Sequence, residues 1–482
     1  MVDRKRVFLT GAAGNWGTRI LDEFKSRADR FDVVALVLPS ARDTAAIRAY
    51  EDMANLDVVF GDLIDYAAVE RCVRGADYVL HVGAAVSPAV DDNPGLATRV
   101  NVGSVRNIIR AVKAQPDPSA IAVVGIGTVA ETGDRNPPHH WGRVGDPLRV
   151  AVFDEYGQSK IAAEKELVDS GLPRWAWLRQ TGIFHPGVLE IRDPIMTHSP
   201  FAGVMEWVSV EDSARLMANI CEPEVPEEFW GGIYNIGGGE AWRLTNWELQ
   251  TRMTAALGVK DVRQWYDRNW FATQNFHGQW YTDSDRLEEL VPFRQDTFDQ
   301  ALSRAIAANP KLRMAGKVPA ALVKKLIMEP LTLRNRGTMA YIRDADRVGI
   351  DAFFGSRKEW EAIGGWETFW PPRPDRIPHT YELGYDESQP TSQWDTETYS
   401  EVADFRGGTL LTAEATAGDI ATALTWQCAF GHTFTGSPRL ILTGGHWCPD
   451  CVLDSANYKT QAQRNRFLAQ IELAGETATV TA

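Results

Sequence analysis

One stretch near the N-terminus limits the fold of this 482-residue chain more than any other feature. A short apolar run, Arg6–Thr10, is followed at once by Gly11-Ala12-Ala13-Gly14-Asn15-Trp16-Gly17, and then by Ile20–Phe24 at helical spacing. A buried strand, a glycine turn and a helix in that order form the phosphate-binding entry of a doubly wound sheet. Gly11 permits the tight turn, and Gly14 lets backbone N–H groups approach a pyrophosphate at the helix N-terminus. Gly17 lets the helix pack closely on the sheet. Ala13, Asn15 and Trp16 complete the loop and are expected to line the cofactor with these glycines.

The alternation downstream agrees. Val33–Leu38, Val58–Phe60, Tyr78–His81 and Ala122–Ile126 are further apolar runs separated by amphipathic stretches. Parallel strands joined by crossover helices produce that pattern. Trp207–Asp212 and Gly232–Ile236 read as later strands, and Thr297–Ala308 as a helix. The expected architecture is α/β: a Rossmann-type doubly wound parallel sheet, a smaller substrate-binding subdomain and a small C-terminal zinc-binding domain. Residues 1–310 are assigned to the first two parts. Residues 311–395 form a helical, Trp/Pro-rich connector, and 396–482 the zinc module, which ends in a polar tail.

After the second strand, Leu36–Arg42 contains no carboxylate until Asp43. An acidic residue there would bind a ribose 2′-OH. Its absence favours NADP over NAD, with Leu38 and Ser40 beside the adenosine and Arg42 or Arg19 facing the 2′-phosphate. Asp62 and Leu63, after the third strand, are placed to contact adenine. Gly83-Ala84-Ala85 offers a small-residue passage beneath the nicotinamide.

Tyr156 and Lys160 stand at i, i+4, hence on one helix face. A phenol titrating near pH 10 is a poor acid–base catalyst at neutral pH, and a nearby ammonium is expected to lower it. Tyr156 would then exchange a proton with a substrate oxygen while hydride moves to or from nicotinamide. Thr128, at the end of the fifth strand, offers a hydroxyl to that oxygen or else caps the strand. Trp265, Tyr266, Trp270, Phe271, Phe276, Trp280 and Tyr281 form an aromatic stretch that belongs to the core or to an apolar substrate pocket. His139 and His140 read as structural.

Taken together, these residues resemble the extended short-chain dehydrogenase/reductases, the NAD-dependent epimerase/dehydratase family, over residues 5–305. The glycine loop, Gly61-Asp62-Leu63, Asn101-Val102-Gly103 with Asn107, Thr128, the Tyr156/Lys160 pair, Leu178-Arg179 and Tyr234-Asn235-Ile236-Gly237 all occur in family order. The resemblance implies that Thr128, Tyr156 and Lys160 are catalytic and that Asn101 supports a proton relay. It also implies that Tyr156 and Lys160 touch the cofactor. Two departures narrow the chemistry. Val129-Ala130 follows Thr128 where sugar-nucleotide dehydratases carry Asp-Glu, and Gly182 stands where epimerases have an Asn. The leading expectation is therefore hydride transfer between NAD(P) and a carbonyl or alcohol of an apolar or aromatic small molecule. The alternatives are a sugar-nucleotide epimerase, and a redox sensor or scaffold that works through the zinc module.

Near the C-terminus, Cys428 and His432 are followed by Cys448-Pro449-Asp450-Cys451. Three thiols and an imidazole suit tetrahedral zinc with no open position, hence a structural site. The stretch resembles treble-clef and zinc-ribbon modules, with His446 as a competitor for His432. Cys72 and Cys221 read as buried helix residues.

Net charge is −14 with no block of Lys or Arg, which argues against nucleic acid as a partner. No apolar run approaches the ~20 residues of a bilayer span, so no membrane partner is expected. The expected setting is a reducing cytoplasm, and the expected assembly a homodimer.

Overall fold

The computed structural model describes residues 4–473 apart from 88 and 191–192; the polar tail lies outside the described residues. Seven strands build the central sheet: β1 (Lys5–Thr10), β2 (Phe31–Val37), β3 (Leu56–Phe60), β4 (Tyr78–His81), β5 (Ala122–Thr128), β6 (Trp175–Gln180) and β7 (Gly232–Ile236). Their spatial order is β7-β6-β5-β4-β1-β2-β3, and every neighbouring pair is parallel.

Side chains alternate across the sheet because strand periodicity is two. Val7 and Leu9 point into one core, where α1 (Asn15–Lys25) and α6 (Val210–Asn219) lay Ile20, Phe24, Leu216 and Met217. Phe8 points into the other core, beneath α3 (Tyr66–Val73), α4 (Gly103–Lys113) and α5 (Glu155–Val168). Continuous apolar strands were needed because both faces are covered. Cys72 and Cys221 are free thiols buried in these two cores.

The expected strand Trp207–Asp212 is corrected. Only Val208–Ser209 is extended, and α6 begins at Val210. Ser209 accepts the Asp212 backbone N–H at 3.0 Å, and Glu211 and Asp212 sit in the first turn. An N-cap with acidic residues behind it starts a helix whatever the β-propensity of the preceding Trp and Val.

Residues 311–395 do not hang free. Short helices at Ala320–Val323 and Glu329–Thr332, joined by a π-turn, place Val323, Met328 and Leu331 in a third core with Leu249, Trp265 and Phe271. Trp366 donates its indole N–H to the Tyr266 carbonyl at 3.0 Å.

The C-terminal segment is built on a helix, Thr396–Phe405, and an antiparallel pair, Leu424–Gln427 with Thr433–Gly436. Trp394, Tyr399, Trp426, Phe434 and Trp447 fill its core. It is seated on the part built around the central sheet: Val452 packs with Ile161 of α5, and Tyr458 accepts the Val150 N–H at 3.0 Å. No described helix is long and apolar enough to cross a membrane.

Candidate active site and Cys/His cluster

The glycine loop takes the form its sequence requires. A Cβ on Gly17 would lie 2.0 Å from the Gly11 carbonyl oxygen, so only glycine lets α1 approach β1 this closely. The helix N-cap is Gly14, which brings no side chain over the first-turn N–H groups. Such N–H groups, with the helix dipole behind them, favour a pyrophosphate. Across the loop, Gly83 donates its N–H to Thr10 Oγ1 at 2.9 Å. His81 bridges Thr10 and Ser104 at 2.9 and 3.0 Å, and burial pulls its imidazole down to about 3, so it is a neutral spacer.

At the adenosine end, Ser40 caps helix α2 (Ala41–Ile47) by accepting the Asp43 N–H at 3.0 Å. Leu38 and Arg42 are exposed beside it, whereas Arg19 is paired with Asp22 at 2.9 Å. Arg42 is therefore the freer of the two cations considered for a 2′-phosphate. If it has that role, Arg42→Glu weakens NADPH binding about tenfold, the size of one charge-assisted hydrogen bond, and leaves NADH unchanged. Fluorescence titration with both cofactors checks this. Asp62 accepts the Ile64 N–H, and Asn107 holds the Leu63 carbonyl at 3.0 Å.

The residues expected to carry acid–base chemistry converge at the end of β5 and the start of α5. The Thr128 side chain lies near the Tyr156 hydroxyl and favours its ionised form. Lys160 points under the tyrosine, with its Nζ 5.9 Å from the ring centroid, and donates to the Ile126 carbonyl at 2.8 Å. Burial pulls the Lys160 ammonium down to about 8.

Here one expectation is corrected. The Tyr156 phenol is raised, not lowered: burial pushes it up, Glu131 and Asp154 add to that, and the Thr128 side chain only partly offsets them. The Lys160 charge is directed at a carbonyl and set back from the ring.

Asn101 is fully committed. It accepts the Ala85 N–H at 2.8 Å and donates to the Ala85 carbonyl and to Ser159 Oγ, at 3.0 and 2.9 Å. That geometry ties the loop Gly83-Ala84-Ala85 to α5.

Next to Thr128 lies a cavity of about 600 Å³. Thr128, Met205, Trp207, Met253, Trp265 and Tyr266 belong to its inner wall, and Leu322, Leu326 and Ile327 to its outer rim. The aromatic stretch serves both readings: Trp265, Tyr266 and Phe276 reach the cavity, while Trp270 and Phe271 stay in the core. The outer wall was not legible in sequence, since residues 312–328 looked like connector.

Glu131 was also missed. Its carboxylate accepts the Thr128 N–H at 2.8 Å in a capping box. Its sequence signal is the capping-box pattern Thr-x-x-Glu at 128–131.

The NAD(P)H-binding family model matches residues 11–222. This region is thus similar in sequence to NAD(P)H-binding proteins and to a short-chain dehydrogenase/reductase. This chain is 29% identical over 206 residues to short-chain dehydrogenase/reductase family 42E member 1 of Danio rerio, covering 39% of this chain and 48% of that protein. It is 27% identical over 114 residues to the UDP-glucose 4-epimerase of Rickettsia akari (strain Hartford), covering 22% and 32%. The chain thus spans about half or less of the curated relatives it matches. Its fold is similar to DesIV, a dTDP-glucose 4,6-dehydratase from Streptomyces venezuelae with NAD and TYD bound. The TM-score is 0.50 at 22% identity, covering 64% of this chain and 97% of that one.

Outside the region of the central sheet, Cys428, His432, Cys448 and Cys451 present donor atoms all within 4.8 Å of one another. Cys448 Sγ and Cys451 Sγ lie 3.4 and 3.6 Å from His432 Nδ1, and Cys451 Sγ lies 3.7 Å from Cys428 Sγ. Ligands about 2.0–2.3 Å from a tetrahedral zinc stand roughly 3.5–3.8 Å apart, so the four side chains fit that ion. His446 is not among them; it is buried against Glu164 at 2.9 Å.

Proposed function

We propose that the protein moves hydride between NADP or NAD and a carbonyl or alcohol of an apolar small molecule, with Tyr156 as the proton-exchanging group. The observation that carries this reading is the character of the cavity at Thr128. No Lys or Arg is among its described lining residues, and methionine, leucine, tryptophan and valine dominate. A sugar nucleotide brings a diphosphate, which needs cations or oriented N–H groups. An apolar substrate needs none, and gains about 25 cal/mol for each Å² it removes from water.

A nicotinamide cofactor held at the glycine loop would supply the hydride. Thr128 and Tyr156 hydroxyls would hold the substrate oxygen. A phenol that burial keeps protonated is set to donate its proton, which suits reduction of a carbonyl. Lys160 would support the charge left on the tyrosine oxygen. Asn101 keeps the loop beneath the nicotinamide in register with α5. The four-ligand cluster leaves no open position and would hold zinc structurally.

Epimerisation of a sugar nucleotide is the second reading, supported by the likeness to UDP-glucose 4-epimerase. A substrate panel separates the two. NADPH oxidation is expected with bulky apolar aldehydes and ketones, with no interconversion of UDP-sugars. Met253→Trp, which fills the cavity, should raise KM for the larger carbonyls at least tenfold and spare the smallest. UDP-sugar epimerisation without carbonyl reduction would sink the proposal.

A further inference from the structure

A fully buried ionic cluster lies behind Thr128 and joins it to the C-terminal segment. Glu131, Glu164 and Arg179 are at most 1% exposed. Arg179 Nε is 3.1 Å from Glu131 Oε2 and 2.9 Å from Glu164 Oε2, while its Nη2 donates to Glu164 Oε1 at 2.6 Å. The other oxygen of Glu131 accepts the Thr128 N–H at 2.8 Å. Two contacts to this cluster come from far along the chain. His446 Nε2 meets Glu164 Oε1 at 2.9 Å, and Arg179 Nη2 donates to the Gly444 carbonyl at 2.7 Å.

We infer that His446 and the Gly444 carbonyl, on the loop that leads into the cysteine cluster, are positioning groups for Thr128. One guanidinium between two buried carboxylates cannot satisfy both, because an unpaired buried charge is costly. Burial and the Glu164 charge raise Glu131 well above the usual carboxylate range, while Arg179 and His446 hold Glu164 well below it. A carboxylate only accepts, so the His446 ring must present its Nε2–H to Glu164. That N–H keeps Glu164 on Arg179, Arg179 is seated 3.1 Å from Glu131 Oε2, and the other Glu131 oxygen fixes the Thr128 backbone.

The loop is seated without slack. Gly445 has φ +76°, and a Cβ there would lie 2.1 Å from the Asp146 carbonyl oxygen, so the loop fits only as glycine. The same segment braces α5, through Val452 on Ile161 and through Lys165, which donates to the Thr435 carbonyl at 2.7 Å. A metal-stapled tail on a dehydrogenase thereby acquires a purpose. It supplies the outer contacts of the charge cluster behind the acid–base site.

The inference rests on Thr128 as a member of the reacting site, so its test reads the position of Thr128 separately from turnover. The full-length protein, H446L and H446Q are compared by hydrogen–deuterium exchange, carbonyl reduction, NADPH affinity and metal content. H446L removes the donor, and H446Q replaces it with an amide of similar reach. The expected result for H446L is at least tenfold faster exchange in the peptide spanning 126–134 and a similar fall in kcat. NADPH affinity, metal content and exchange at residues 8–20 stay unchanged, and H446Q behaves like the unmodified protein. Should H446L not accumulate folded, H446N replaces it, since its amide is too short to reach Glu164. Unchanged exchange at 126–134 would overturn the proposal, as would equal damage from the donor and non-donor variants. Faster exchange with unchanged kcat would keep the mechanical coupling and instead overturn the assignment of Thr128 to the reaction.

Discussion

Replacing Tyr156 by Phe should lower turnover by about 10³-fold and leave NADPH affinity within roughly twofold. Positioned general acid–base groups contribute about 10²–10⁴. The substitution removes only the hydroxyl, which lies near Thr128, a residue of the cavity wall. The glycine loop, with its N–H groups at the start of α1, lies elsewhere and is untouched. A small fall in kcat with a large rise in cofactor Kd would show that Tyr156 holds the nucleotide and does no proton transfer.

The same site predicts a pH dependence with a definite sign. Burial brings Lys160 down to about 8, so it is charged below that value and neutral above it. If its charge supports the tyrosine oxygen, kcat/KM declines as pH rises through about 8. Lys160→Arg keeps the charge at every accessible pH and should remove that alkaline limb, at a lower plateau because the guanidinium is bulkier. An unshifted limb in the arginine variant would assign the ionisation to another group.

The second large effect is expected at the cysteine cluster. Purified protein should carry about one zinc per chain, and Cys448→Ser should lose it together with much of the C-terminal fold. Structural zinc sites in small modules contribute an apparent ~10–16 kcal/mol at neutral pH. The tryptophan-rich core here is small, and Trp426 and Trp447 pack within 5.9 Å beside the ligands. The expected signatures are loss of metal by elemental analysis, a lower Tm and new protease cleavage between residues 406 and 450. Metal-free protein with an unchanged Tm would reject zinc. In that event Cys428, Cys448 and Cys451 would be reduced core thiols.

Much of this was legible because local chemistry and fold agree along the N-terminal half. The runs at Arg6–Thr10, Val33–Leu38 and Ala122–Ile126 are strands because parallel strands buried on both faces need uninterrupted apolar residues. The Tyr156/Lys160 spacing and the four metal-ligand candidates were equally visible, since helix periodicity and ligand spacing are local properties. Where two local signals competed, reading failed. At Val208–Asp212 the β-branched pattern lost to a serine cap with acidic residues behind it. At residues 128–131 a capping box lay unread.

The sequence by itself determined a doubly wound sheet, a glycine loop between its first strand and helix, a Tyr/Lys pair on one helix and a Cys/His set, because each is set by neighbours within a few residues. Only the tertiary structure decided what surrounds them. Phenol and ammonium shifts depend on burial and on charges brought from other elements, which is why Tyr156 moves opposite to expectation. The cavity needs walls from residues 128 to 328. The cluster Glu131–Arg179–Glu164–His446 spans 315 positions of sequence, and no pattern in one strand or helix could announce it.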